Sequence, residues 1–74
     1  MEVYKRETRK AIRRFLAHRI SFAKCISALD AALADAIPRL PREQFDALRA
    51  LMFANYETVI KEMERRGAAR ENPK

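Results

Sequence analysis

The side chains with the most versatile chemistry are scarce in this chain, which holds one histidine, His18, and one cysteine, Cys25. Structural zinc needs about four Cys or His ligands, so we expect no metal site. Ser21 and Lys24 match the S-x-x-K pattern of some serine enzymes, but the companion motifs of those enzymes are missing. A single glycine leaves no glycine-rich loop to hold a phosphate. We therefore expect no catalytic residues, no cofactor, no small-molecule substrate and no enzymatic activity.

These few residues have simpler structural interpretations. Ser21 is a good helix N-cap, because its hydroxyl can accept from a backbone N–H two or three residues later. Cys25 fits a small buried hydrophobe, with a reactive thiol as the alternative. A lone cysteine cannot form an internal disulfide and is typical of reducing compartments. The charged segment 1–10 does not suit a signal peptide, and we predict a cytoplasmic protein.

Cations are concentrated in the first 19 residues, where seven Lys or Arg stand against two Glu, a net charge of +5 compared with +6 for the whole chain. On a helical wheel six of these cations share one side, opposite an apolar arc. A purely solubilising surface usually mixes charges of both signs, whereas this side has only Glu7, near its margin. We call these six residues the cationic face: Lys5, Arg6, Arg9, Lys10, Arg13 and Arg14.

Four interpretations of the cationic face stay open on the sequence alone. It is a solvated helix surface, a site for an acidic protein partner, a site for nucleic-acid phosphates, or a contact with an anionic membrane surface. No run of about 18 apolar residues exists that would predict a membrane-spanning helix. The order of a basic helix, a loop and a long helix is similar to basic helix-loop-helix proteins. However, Glu7 is followed by Thr8-Arg9-Lys10 and not by that family's Glu-Arg-x-Arg-Arg signature, so we assign no family.

Apolar periodicity predicts three helices, at roughly 2–18, 22–37 and 42–66. A break near Ser21 separates the first two, and one long bent helix is the competing interpretation. Pro38 and Pro41 bracket a short connection, which makes the second and third helices antiparallel neighbours. Gly67 is a typical helix stop. We predict one domain, 1–67, followed by a disordered tail, 68–74.

The third predicted helix is apolar over about 200° of its circumference, wider than the stripe that one neighbouring helix covers. Either the first and second helices flank it from both sides, or a second copy of the chain covers the remainder. Asn55 lies inside this arc, either at a wet edge or as a polar group that sets the register of a partner helix. The predicted oligomer interface consists of Leu48, Leu51, Phe53, Asn55 and Tyr56.

Together these patterns predict an all-α fold, a small helical bundle of two long antiparallel helices plus the basic amphipathic N-terminal helix. We expect it to dimerise, since a chain this small gains only a few kcal/mol from its own core. The predicted function is that of a small interaction or adaptor module whose cationic face binds an acidic partner. The alternative is a nucleic-acid-associated accessory protein that contacts phosphates without reading bases.

Overall fold

The computed structural model describes the backbone of residues 1–71 and the side chains of residues 1–67. Its three α-helices are α1 (Glu2–Leu16), α2 (Phe22–Ala36) and α3 (Phe45–Glu71). Two short 3-10 helices, Ile37–Arg39 and Arg42–Gln44, fill most of the connection between α2 and α3. The described part of the chain contains no strand. An all-α fold is therefore confirmed.

The connection between α1 and α2 is a sharp turn built on His18, whose φ is +62°. The N–H of Arg19 donates to the carbonyl of Arg14 at 2.8 Å, and that of His18 donates to Phe15 at 3.0 Å. This pair of hydrogen bonds is the Schellman pattern of a helix C-terminus, with His18 at the position that glycine usually occupies. The alternative of one long bent helix is thus wrong, and α1 ends two residues before His18.

The start of α2 follows the sequence prediction closely. Ser21 is confirmed as the N-cap, and its hydroxyl oxygen accepts from the N–H of Lys24 at 3.1 Å. α2 ends at Ala36, where the chain tightens into the first 3-10 helix, because Pro38 lacks the N–H that a continuing α-helix would use.

Both ends of α3 differ from the prediction. The chain after Pro41 forms a 3-10 turn first, so that α3 begins at Phe45 and not at Arg42. The predicted stop at Gly67 is wrong, because the helix continues to Glu71 and Gly67 has no positive φ. A glycine stops a helix only when its backbone turns left-handed, and the residues that follow, Ala68 to Arg70, are strong helix formers. α3 thus takes in four residues of the predicted tail, while residues 72–74 lie outside the described residues.

Two groups of buried side chains join the three helices. The first lies where α1 ends and α2 begins, and contains Ala11, Phe15, Cys25, Leu29 and Val59. The second lies where α1 begins and α2 ends, and contains Tyr4, Ala36 and Leu48. α1 and α2 therefore run in opposite directions. Leu48 and Val59 lie at opposite ends of this hairpin, so α3 runs along its length and antiparallel to α2.

α3 also holds the end of α1 through one arginine. Nη2 of Arg66 donates to the carbonyl oxygen of Phe15 at 3.0 Å, and the guanidinium lies 4.4 Å from the centroid of the Phe15 ring. Nε of Arg66 donates to Glu62 at 2.7 Å. This contact fixes the turn at which the cationic face ends, and we call it the Arg66 latch (Arg66, Glu62 and Phe15).

Candidate interaction surface

All six members of the cationic face are exposed, because the opposite side of α1 is the one that is buried. Tyr4, Thr8, Ala11 and Phe15 form that buried side at spacings of four, three and four residues. Thr8 satisfies its buried hydroxyl by donating to the carbonyl of Tyr4 at 2.9 Å, which leaves α1 free of unpaired polar groups on its inner side. The amphipathic pattern of α1 thus directs its cations outward.

The cationic face has few acidic neighbours. Among the described side chains, its only ion pair within 4 Å joins Arg6 to Glu7 at 3.7 Å, and both groups are largely exposed. The other five cations repel one another at the three- and four-residue spacings that bring helical side chains together. An anionic ligand would relieve this repulsion.

Arg19 joins this surface, which the sequence prediction did not foresee. It lines a depression of about 590 Å³ together with five members of the cationic face and Ala17. Arg19 reaches that place because His18 turns the backbone left-handed and folds the chain back beside the end of α1. Helical periodicity carries no such signal, since it applies only as far as the helix continues.

A groove between α1 and α3 borders the cationic face on its other side. It has a volume of about 530 Å³. Ile12, Leu16 and Leu51 give it an apolar surface. Lys5, Arg9 and Arg13 are spaced by four residues, roughly 6 Å per step along α1, and line the same groove. An apolar trough with one cationic rim suits a ligand that is itself amphipathic and acidic.

Asn55 lies at the bottom of this groove, half-buried, beside Tyr4. Burial raises the pKa of the Tyr4 hydroxyl, and the Asn55 side chain opposes that shift as its hydrogen-bonding neighbour. Asn55 therefore has a polar neighbour within its own chain. A role in setting the register of a partner helix stays a prediction.

The predicted oligomer interface is divided by the structure. Leu48 is only 4% exposed and fills the space beside Tyr4 and Ala36, so little of its side chain is available to a second copy. Its assignment to an interface stays a prediction. Leu51 is half-buried in the α1–α3 groove. The Tyr56 hydroxyl donates to Asp30 of α2, and burial together with this carboxylate raises the pKa of Tyr56 to about 12.

Phe53 is the member of that set that faces outward, with 61% of its surface exposed. Ile60, two turns later on the same side of α3, is 45% exposed and was not in the predicted set. Both α1 and α2 pack against the apolar arc of α3, and Phe53 and Ile60 stay outside these contacts. Positions on a helical wheel could not show which edge of this arc is covered by α1 and α2.

The single cysteine of the chain lies in the first group of buried side chains. Cys25 is fully buried with its Sγ 3.8 Å from the carbonyl oxygen of Ala11, and burial raises the pKa of its thiol. Its reactive thiolate is therefore disfavoured. Within the described residues, no group of three or more His, Cys, Asp or Glu side chains comes together as a metal site.

In the same range, no helix combines the length and apolarity needed to cross a membrane. Comparisons of the chain with protein-family models, curated proteins and solved structures gave no match. The function proposed below therefore depends on the surface and its charges alone.

Proposed function

We propose that this protein is a small, non-enzymatic helical interaction module of the cytoplasm, a dimerising helical bundle that binds an acidic protein segment through its cationic face. The observation that carries the proposal is the row of exposed α1 cations, five of which have no carboxylate within 4 Å among the described side chains. Unpaired like charges destabilise the free protein slightly, and a ligand that neutralises them gains that energy on binding.

The groove beside the cationic face supports the proposal of an acidic, amphipathic partner. An acidic amphipathic helix would place carboxylates against Lys5, Arg9 and Arg13, and apolar side chains against Leu16 and Leu51. Arginine favours such a ligand, because its planar guanidinium forms paired hydrogen bonds with a carboxylate. Helix-in-groove binding of this kind usually depends on apolar anchors at spacings of three, four and seven residues.

Nucleic acid is the alternative partner, and the depression that Arg19 helps to line favours it. That depression is cationic along nearly its whole lining and could follow a phosphate backbone. Contacts of this kind would be made to phosphates without reading the bases. The apolar groove, however, would contribute nothing to a duplex.

A binding assay with two ligands separates these proposals. Fluorescence anisotropy would follow a labelled, helical, Glu-rich amphipathic peptide and a labelled DNA duplex, each titrated with the protein over a series of salt concentrations. For duplex DNA held by six phosphate contacts, the log–log slope of affinity against salt should be about −5. For the peptide the slope should be shallower, because part of its binding energy comes from apolar contact.

Two variants with matched controls locate the site. Changing Arg9 and Arg13 together to Gln should lower the affinity for the peptide at least tenfold. The control changes Arg39 and Arg42 to Gln, which removes the same charge elsewhere and should alter the affinity little. Leu16 is an exposed residue of the groove, and Leu16→Gln should lower the affinity for the peptide and leave the affinity for duplex DNA unchanged. No binding of either ligand at low salt, or equal losses with both double variants, would overturn the proposal.

A further inference from the structure

The outward side of α3 carries a short stripe of four residues with an ordered chemistry. Phe53 and Ile60 are 61% and 45% exposed and, seven residues apart, lie two turns from one another on the same side. Arg49 stands one turn before Phe53, and Glu64 stands one turn after Ile60, both exposed. We call these four residues the outer stripe: Arg49, Phe53, Ile60 and Glu64.

The outer stripe is left uncovered by the chain's own packing. α3 turns Leu48 and Val59, 4% and 0% exposed, toward α1 and α2. On a wheel, Phe53 and Ile60 lie more than 90° from those two residues. A phenylalanine with most of its surface in water, followed by an exposed isoleucine, is the kind of apolar surface that a second chain covers.

The order of the stripe determines which second chain fits. Read from the N-terminal side it runs cation, apolar, apolar, anion, with Arg49 and Glu64 at the ends. A copy that runs in the opposite direction presents the complementary order, so both ends match at once. A parallel copy would instead set Arg49 against Arg49 and Glu64 against Glu64.

We propose that two copies of this chain pair through the outer stripe of α3 in an antiparallel dimer, with Phe53 packed against the partner's Ile60 and Arg49 paired with the partner's Glu64. The twofold axis passes between Tyr56 and Glu57, and every contact occurs twice, as an isologous interface requires. The inference rests on the self-association part of the proposed function and gives it a direction and a register.

The two copies of Glu57 come near each other beside the twofold axis, and in each copy the pair with Lys61, 3.8 Å apart, offsets part of their repulsion. The nearest intrachain contact of the stripe is the exposed pair between Arg49 and Asp46, 3.8 Å apart, which is weak enough to be exchanged for a partner's carboxylate. The groove between α1 and α3 shares no residue with the stripe, so the dimer keeps both grooves open. Each dimer therefore offers two acidic-partner sites, which would increase its avidity for a ligand with two such segments.

Charge exchange at the ends of the stripe tests the register. Arg49→Glu and Glu64→Arg should each weaken self-association roughly tenfold in sedimentation velocity, because two ion pairs become two like-charge pairs. The double variant should restore self-association, since the pairs are exchanged and not removed. An equimolar mixture of the two single variants should also associate, as a heterodimer.

The outcome distinguishes the proposal from other arrangements. In a parallel dimer the single variants would be no weaker than the unchanged chain, and that result overturns the antiparallel register while leaving self-association in place. Phe53→Asp should give a monomer with unchanged helicity by circular dichroism, whereas Val3→Asp, at another exposed apolar residue, should leave the dimer intact. If sedimentation velocity gives the mass of one chain at all concentrations of the unchanged protein, the proposed dimer is wrong. Binding of the acidic peptide would not be affected by that result, because the anisotropy assay measures it separately.

Discussion

The helix α1 and the last turns of α3 are both rich in cations, yet their cations are arranged in opposite ways. Near the end of α3, Arg65 and Arg66 share the carboxylate of Glu62 at 2.6 and 2.7 Å. On α1, the ion pair within 4 Å among the described side chains is the exposed contact between Arg6 and Glu7, 3.7 Å apart. The residue types are the same, and the difference is whether the acid closes onto its neighbouring cations. Glu62 contacts two arginines, whereas Glu2 and Glu7, each three residues from a lysine, form no ion pair with Lys5 or Lys10 within 4 Å among the described side chains.

This difference separates cations that stabilise the fold from cations that are free to bind. The Arg66 latch joins two helices, and the Arg66 side chain is only 18% exposed, so removing it would open the packing around Phe15. Among the described side chains, the ion pairs of the cationic face do not connect α1 to another helix. We expect that these charges can be removed without harm to the fold, and this supports the proposal that they bind a partner.

The largest expected effect breaks the latch. Arg66→Ala should lower the free energy of unfolding by about 2 kcal/mol, because it removes a charged hydrogen bond to a helix-end carbonyl and a cation–π contact. Arg65→Ala is the control: this side chain pairs with the same Glu62 but is 66% exposed and should change stability little. Chemical denaturation measures both. Equal losses would show that the latch is an ordinary surface pair.

A smaller loss should follow from protonating Glu62, because Arg66 then keeps its contacts with Phe15. The hydrogen bond from Arg65, together with that from Arg66, lowers the pKa of Glu62 from 4.5 to about 2. A depressed folded-state pKa stabilises the protein above the unfolded-state value, so this contribution is present above pH 4.5 and is lost as the pH falls toward 2.

Denaturation curves between pH 6 and pH 2.5 would measure that loss, with Glu62→Gln as the comparison. The variant should be less stable near neutral pH, and its stability should fall less on acidification. Parallel curves for the two proteins would contradict the assigned role of Glu62.

The third prediction concerns the turn that brings Arg19 beside the cationic face. His18 holds a φ of +62°, a left-handed conformation that a residue with a Cβ adopts only at some cost. His18→Gly should therefore raise the free energy of unfolding by about 0.5–1 kcal/mol, whereas His18→Val should lower it. Thermal unfolding followed by circular dichroism would show both. A glycine that destabilises the protein would contradict the turn geometry.

The smallest effect should appear on the cationic face. Arg9 lies four residues from both Lys5 and Arg13, so Arg9→Gln should raise stability by a few tenths of a kcal/mol at low salt. Lys61→Gln should have the opposite sign, because Lys61 is 3.8 Å from Glu57. Both differences should shrink as salt increases. A loss of stability in Arg9→Gln would indicate that these cations support the fold.

Much of the helical pattern was predictable from local sequence, and the errors have local causes. The amphipathic spacing of α1 and the capping serine at position 21 both act within one or two turns of helix. The end of α1 was harder to predict from the sequence, because a left-handed backbone at histidine is uncommon and depends on the surrounding packing. Gly67 was misread for the converse reason, since a glycine permits a left-handed turn without requiring one.

The candidate surface was predictable in its charges but not in its shape. The six members of the cationic face were identified from periodicity, whereas the groove exists only because α3 lies beside α1. Leu48 and Phe53 lie in one continuous arc on the wheel, yet Leu48 is buried and Phe53 is exposed. The position of α2 divides that arc into a buried part and an exposed part, and a long-range packing choice of this kind has no signature in a single helix.

The most direct test of the central claim is an amide chemical-shift titration of the protein with the acidic amphipathic peptide. Binding in the groove should shift the amide signals of α1 around Lys5, Arg9 and Arg13 and those of α3 around Leu51 and Asn55, and should leave Phe53 and Ile60 unaffected. Shifts confined to Phe53 and Ile60, or no shifts at low salt, would contradict that claim.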